Sequence, residues 1–148
     1  MGCIEIANLV MRGCTKFYLN NHDAAREDAN TTINLASQTG KQLAESLAHS
    51  VLHLLFYYRA DYAAAMEQAQ NGFRLARELG TKRFEAENLH NLGVARAGLG
   101  FQEGERDLEQ AYTLCRETGG LSYMGSWILG SLAWVTGDPH KRRKAPGL

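Results

Sequence analysis

Apolar and small residues along this chain recur at helical spacing, and that pattern itself recurs at a longer interval. The stretch from Ala60 to Gly80 realigns with Gly100 to Gly119 and with Asn21 to Gly40. Each copy opens on an aromatic or histidine (His22, Tyr62, Phe101) and continues with a small residue three positions on (Ala25, Ala65, Gly104). Ala29, Ala69 and Leu108 follow, and then Leu35, Leu75 and Leu114, which lie 40 and 39 residues apart. Counted from the small residue, these fall at i, i+4 and i+10, one face of a helix with 3.6 residues per turn. A recurrence between ~20 and 50 residues is the mark of a repeat architecture.

Each of these helices is expected to stop at a glycine (Gly40, Gly80, Gly119), where a left-handed C-terminal cap favours a residue without a Cβ. Between them the pattern predicts helices from about Gln42 to Arg59, with Leu47, Val51, Leu52, Leu54 and Leu55, and from about Lys82 to Leu99, with Phe84, Leu89, Leu92 and Val94. A further helix is expected from Ile4 to Leu19 and another from Leu121 to Val135. Thr136-Gly137-Asp138-Pro139 then reads as a stop followed by a start. Glycine closes one helix, aspartate caps the next, and proline suits a first turn that needs no backbone donor. A helix beginning near Pro139 would be cut short by the end of the chain. No segment has strand period, so the expectation is one all-α domain of about four helix-turn-helix repeats, at 4–40, 41–80, 81–119 and 120–148. The short last repeat would leave surface exposed near Leu132 and Trp134, and repeats without polar end caps tend to self-associate.

The third copy, Asn88-Leu89-His90-Asn91-Leu92-Gly93-Val94-Ala95 with Leu99-Gly100-Phe101, Gly104, Leu108 and Ala111, resembles the tetratricopeptide (TPR) consensus. Leu92-Gly93 matches its Leu-Gly pair, Gly104 its first small residue and Ala111 its second. The copies are longer than the consensus of about 34 residues, and the first two keep only part of the Leu-Gly pair, in Gly13 and Leu52. This resemblance implies a right-handed superhelix, an α-solenoid. A narrower likeness lies in Trp127-Ile128-Leu129-Gly130-Ser131-Leu132-Ala133, Thr136 to Pro139 and Arg142-Arg143. It is similar to the repeat tail of large bacterial signalling proteins in which an adenylate or guanylate cyclase, or a transcriptional output domain, precedes an AAA-type ATPase. The chain has no G-x-x-x-x-G-K-[ST] phosphate loop, so no ATPase activity transfers to it.

In the tetratricopeptide arrangement the first helix of each pair lines a groove. The groove positions this implies are Val10, Cys14, Phe17 and Tyr18, then Leu47, Ser50, Leu54, Tyr57 and Tyr58, then Glu87, His90, Val94 and Ala97, and last Met124, Trp127, Ser131 and Trp134. The set is apolar and aromatic. Domains of the family that clamp an acidic C-terminus use Lys, Arg and Asn at positions occupied here by Val10, Cys14, Ser50, Leu54, His90 and Val94. The expected partner is instead an apolar extended segment or an amphipathic helix, from another protein or from other domains of a longer chain. The strongest contact candidates are Phe17, Tyr18, Leu54, Tyr57, Tyr58, His90, Val94, Trp127 and Trp134. The same spacing also fits aromatic core packing. The alternative function is a sensor of a small molecule or peptide pheromone, which would need a closed pocket of ~300–1,000 Å³.

Charge narrows the partners further. Sixteen basic and 16 acidic residues cancel, leaving no global field for nucleic acid or an anionic membrane, and the basic run His140 to Lys144 stands alone. Three cysteines (Cys3, Cys14, Cys115) have no disulfide-framework spacing and no signal-type segment precedes them, which points to the cytoplasm. His49 and His53 stand four apart with His90 on a neighbouring helix, but Ser50 replaces the glutamate of a zinc-protease motif. Cys115 aligns with Ala36 and Ala76 as a packing residue, and His53 aligns with Gly93, which predicts a buried imidazole. No convergent catalytic set can be assembled, so neither enzyme activity, nor a metal, nor a cofactor is expected.

Overall fold

The periodic segments resolve into seven helices in a computed structural model that describes residues 3–120 and 124–137. They are α1 (Cys3–Tyr18), α2 (His22–Thr39), α3 (Gln42–Tyr58), α4 (Tyr62–Leu79), α5 (Lys82–Gly98), α6 (Glu103–Glu117) and α7 (Ser126–Thr136), with no strand among the described residues. The ends follow local chemistry. Asn21 and Asp61 cap α2 and α4 by accepting from the amides of Ala24 (3.4 Å) and Ala64 (3.2 Å). Gly40 and Gly80 adopt left-handed φ of 67°, turning the amides of Lys41 and Thr81 back onto the carbonyls of Ala36 and Ala76. α6 closes in the same way, Gly119 directing the Gly120 amide to the Cys115 carbonyl at 2.9 Å. α7 differs from its expected extent: a turn of wider π geometry at Met124 and Gly125 precedes it. The helix expected near Pro139, the basic run from His140 and residues 121–123 lie outside the described residues.

Each helix packs against the next, and α1, α3, α5 and α7 also touch one another in succession. These four form a row, and α2, α4 and α6 each lodge against two of its members. The approach is close because the contact positions are small. A Cβ added to Gly93 of α5 would lie 2.9 Å from the carbonyl of Gly104 in α6, and one on Gly104 would lie 2.6 Å from the carbonyl of Gly93. At the matching place in α1, Gly13 faces the carbonyl of Ala25. In α3 the position is His53, 1% exposed, whose Nδ1–H donates to the Ala65 carbonyl at 3.1 Å.

Two apolar clusters fill the interior. One joins Phe17, Ala25, Ala29, Val51, Leu52 and Leu55 of the first three helices. The other joins Leu89, Leu92, Leu108, Cys115, Ile128 and Leu132 towards α7. The expectation that Leu132 would be exposed is therefore wrong: it is buried in the second cluster, while Trp134 is exposed. Where α3, α4 and α5 meet, the seam is polar. Ser46 donates to the Gly72 carbonyl at 3.0 Å, Asn88 donates to Ser46 Oγ at 3.3 Å, and Ser50 donates to Asn88 Oδ1 at 3.3 Å. An added Cβ on Gly72 would collide with Asn88 Oδ1. At the other end, Arg12 donates through Nε and Nη2 to Asp28 at 2.8 and 2.7 Å, and Lys16 adds a contact at 2.8 Å. The Arg12 hydrogen bond, with help from Lys16, holds the Asp28 carboxyl below its ordinary range and ties α1 to α2.

Two expected outcomes follow from the backbone geometry. Gly104→Ala places a methyl against the Gly93 carbonyl and the Ala97 amide, and should lower urea-unfolding stability by about 1–3 kcal/mol. Ala60 occupies φ 58° in the turn where the corresponding residue of the next turn is Gly100, at 81°. Ala60→Gly should therefore raise stability, by roughly 1 kcal/mol in the same assay.

Candidate functional site

The row of α1, α3, α5 and α7 carries a groove on its open side. Its widest part is a cleft of about 610 Å³ lined by Phe17 and Tyr18 of α1, Leu54, Tyr57 and Tyr58 of α3, His90, Asn91 and Val94 of α5, and Trp127, Gly130, Ser131 and Trp134 of α7. All nine side chains singled out from the sequence line this one cleft. A second cleft of about 470 Å³ shares Phe17, Tyr18, Leu54, His90, Asn91 and Trp127 with it and extends towards Cys14, Arg83 and Glu87. The two are continuous through those shared residues.

Phe17 and Val94 form floor and the larger rings form wall. Phe17 and Val94 are buried, whereas Tyr18, Tyr58, Trp127 and Trp134 are 71%, 70%, 61% and 56% exposed. Such exposure of large rings is costly in water unless something else is gained. Ring contacts hold the tyrosines of the wall in place: Phe17 lies 5.3 Å from Tyr18 and 5.4 Å from Tyr58, edge-on or tilted, and stacks on His22 at 5.5 Å. Tyr57 meets Tyr58 at 6.1 Å, Tyr62 at 5.5 Å and His53 at 5.7 Å. The opening rings of α2 and α4, His22 and Tyr62, thus brace the groove from behind.

Two residues named from the sequence lie elsewhere. Val10 turns into a separate apolar crevice with Ile6, Leu43, Leu47 and Leu79, because it sits one helical turn before Cys14 and beside the start of α3. Ala97 lines a cleft at the α5–α6 turn with Phe101, Glu105 and Glu109. Conversely, Asn91, Ser126 and Gly130 line the groove without having been singled out. Asn91 precedes Val94 by three positions, and Gly130 follows Trp127 by three, so helical spacing carried that signal.

The wide cleft is electrically neutral. None of its described lining residues is Asp, Glu, Lys or Arg. Burial holds the imidazoles of His53 and His90 down at about 4, with their mutual repulsion adding to the shift at His90. His90 Nε2 lies 2.9 Å from Ser131 Oγ, joining α5 to α7. Burial, and then the neighbouring Tyr62 and Tyr58, push the Tyr57 phenol up, so it remains a hydrogen-bond donor. Charge begins at its edges: in the narrower cleft, where burial raises Glu87 against the opposing pull of Arg83, and beyond Trp134 in the cleft that holds Glu105, Arg106 and Glu109.

The same surroundings act on the thiols. Burial, followed by Glu87, pushes the Cys14 thiol up, away from the thiolate a nucleophile needs. Cys115 is raised by burial as well. The three histidines diverge: His49 Nδ1 lies 2.8 Å from Gln68 Oε1, while His53 binds a backbone carbonyl and His90 a serine. Among the described residues no group of three or more His, Cys, Asp or Glu is placed to hold a metal ion. None of the described helices is long and apolar enough to cross a membrane. Comparison with models of known protein families gives no match, and comparison with curated proteins gives none either.

The depressed imidazoles of His53 and His90 make stability depend on pH. In the unfolded chain an imidazole takes up its proton near 6.5, whereas in the fold His53 and His90 do so only near 4. Between those values the unfolded state binds more protons, so stability is full above ~6.5 and falls as pH drops towards ~4. The expected loss from His53 alone is roughly 3 kcal/mol. His53→Gln keeps a donor for the Ala65 carbonyl without a titrating group, and should flatten the decline in a series of urea melts. An unchanged slope would contradict the assignment.

Proposed function

We propose that this chain is a tetratricopeptide-like stack of helical pairs wound as a right-handed solenoid, and that its groove holds a segment of another protein or of a longer parent chain. The observation that carries this reading is the convergence of Tyr18, Tyr58, Trp127 and Trp134, all exposed, on one cleft whose described lining carries no charged side chain. Tyr18 and Tyr58, held by ring contacts, lose little conformational freedom when they are covered, and Tyr and Trp combine large apolar faces with polar tips, the profile of residues that dominate binding energies. The successive contacts of the odd-numbered helices, and small residues at matching positions in the even ones, support the solenoid. The continuity of the two clefts favours a segment over a compact small molecule, for which an enclosed pocket would serve better. In this reading the chain is a non-enzymatic, cytoplasmic interaction module, of the kind found in the regulatory tails of bacterial signalling proteins.

Selection from a displayed library of random peptides tests the reading. Peptides enriched on the wild-type protein should bind it with micromolar affinity and lose at least about tenfold with Tyr58→Ala or Trp127→Ala. Both side chains are exposed, so the variants should keep the wild-type circular dichroism. Enriched peptides that bind the variants as well as wild type would place recognition elsewhere.

A further inference from the structure

We infer that the segment the groove accepts is uncharged and proline-rich, and lies in it as an extended polyproline II strand. This inference rests on the groove being a peptide-binding surface. Three features of the wide cleft lead to it. The first is charge: none of the described residues lining it is Asp, Glu, Lys or Arg, so a charged segment would lose its hydration there and gain no partner.

The second is the balance of hydrogen-bonding groups. The indole nitrogens of Trp127 and Trp134 donate only, and the phenols of Tyr57 and Tyr58 also offer donors. An amphipathic helix satisfies its own backbone and presents aliphatic side chains, so its docking would bury these donors unpaired. A polyproline II strand is the complement: it has no internal hydrogen bonds, its carbonyls remain free, and proline contributes no N–H of its own. Its proline rings are flat apolar plates suited to aromatic faces, and the conformation is largely formed before binding, which lowers the entropic cost.

The third is spacing. Trp127 and Trp134 are seven residues apart on α7, two helical turns or ~10.5 Å along the axis. One turn of polyproline II advances ~9.3 Å in three residues. Prolines three apart can therefore meet successive indoles. Between the indoles lies Gly130, exposed, and a Cβ placed there would have no atom within 4 Å. The gap is left open by the lack of a side chain rather than by any packing demand of the fold.

The probes are a blocked proline peptide of about ten residues, ~31 Å long in this conformation, and a blocked, neutral amphipathic helical peptide. The chain has 2 tryptophans and both line the groove, so intrinsic fluorescence reports occupancy without a label. The proline peptide should give a saturable change with a dissociation constant on the order of 100 µM, and Gly130→Leu should weaken it at least about tenfold with unaltered circular dichroism. Tyr58→Ser provides a second variant, acting on the opposite wall. Binding should be insensitive to salt. Saturation by the helical peptide alone would overturn the proline assignment and leave the groove reading standing. Saturation by neither would overturn both, and proline binding unaffected by Gly130→Leu would remove the indole notch from the site.

Discussion

The distance between neighbouring helices is the constraint on which the rest of this structure depends. At three successive places an odd-numbered helix meets a backbone carbonyl of the next: Gly13 at Ala25, His53 at Ala65 and Gly93 at Gly104. Glycine permits the approach at two of them by having no side chain. Histidine reaches the same kind of carbonyl at the third by donating to it, which costs the imidazole its charge in return for a satisfied polar contact. Because these contacts fix how α1, α3, α5 and α7 stand beside one another, they also fix the row whose open side is the groove.

The interior and the groove then follow one logic. Tyr62 braces Tyr57 from behind and also lies against Gly98, while His22 stacks under Phe17, so the first residue of an even helix supports a ring on the preceding odd one. The polar seam of Ser46, Ser50, Gly72 and Asn88 joins three helices at the middle of the molecule and leaves its groups paired. Among the described residues no buried side-chain nitrogen or oxygen lacks a hydrogen-bond partner. Buried polar groups satisfied in this way specify one arrangement more sharply than an all-aliphatic interface would. On such a frame Tyr18, Tyr57 and Tyr58, held by ring contacts, are preorganised.

Much of this was legible in the amino-acid pattern because helix termini and helix faces are local properties. The glycines at 40, 80 and 119 marked left-handed turns, and Tyr57, His90 and Trp127, named through the tetratricopeptide resemblance, do line one cleft. What escaped depended on neighbours in space. Leu132 was expected at an open end, but it is buried in a cluster with residues of α5 and α6. Val10 shares a helix with Cys14 and Phe17, yet the start of α3 beside it makes a separate crevice. Asn88 looks like an ordinary helix residue until Gly72 of α4 makes room for its amide. Ala60 gives no local sign of its left-handed conformation, which the tight turn between α3 and α4 imposes.

The central claim is that the aromatic wall faces solvent rather than the core, and the accessibility of the two tryptophans measures it directly. Trp127 and Trp134 are 61% and 56% exposed. In the folded protein, verified by circular dichroism, their emission should lie close to that of the unfolded chain, and acrylamide should quench both with rate constants approaching the unfolded values. Blue-shifted emission with strong protection from acrylamide would mean that the rings are packed away, and would contradict the account of an open groove.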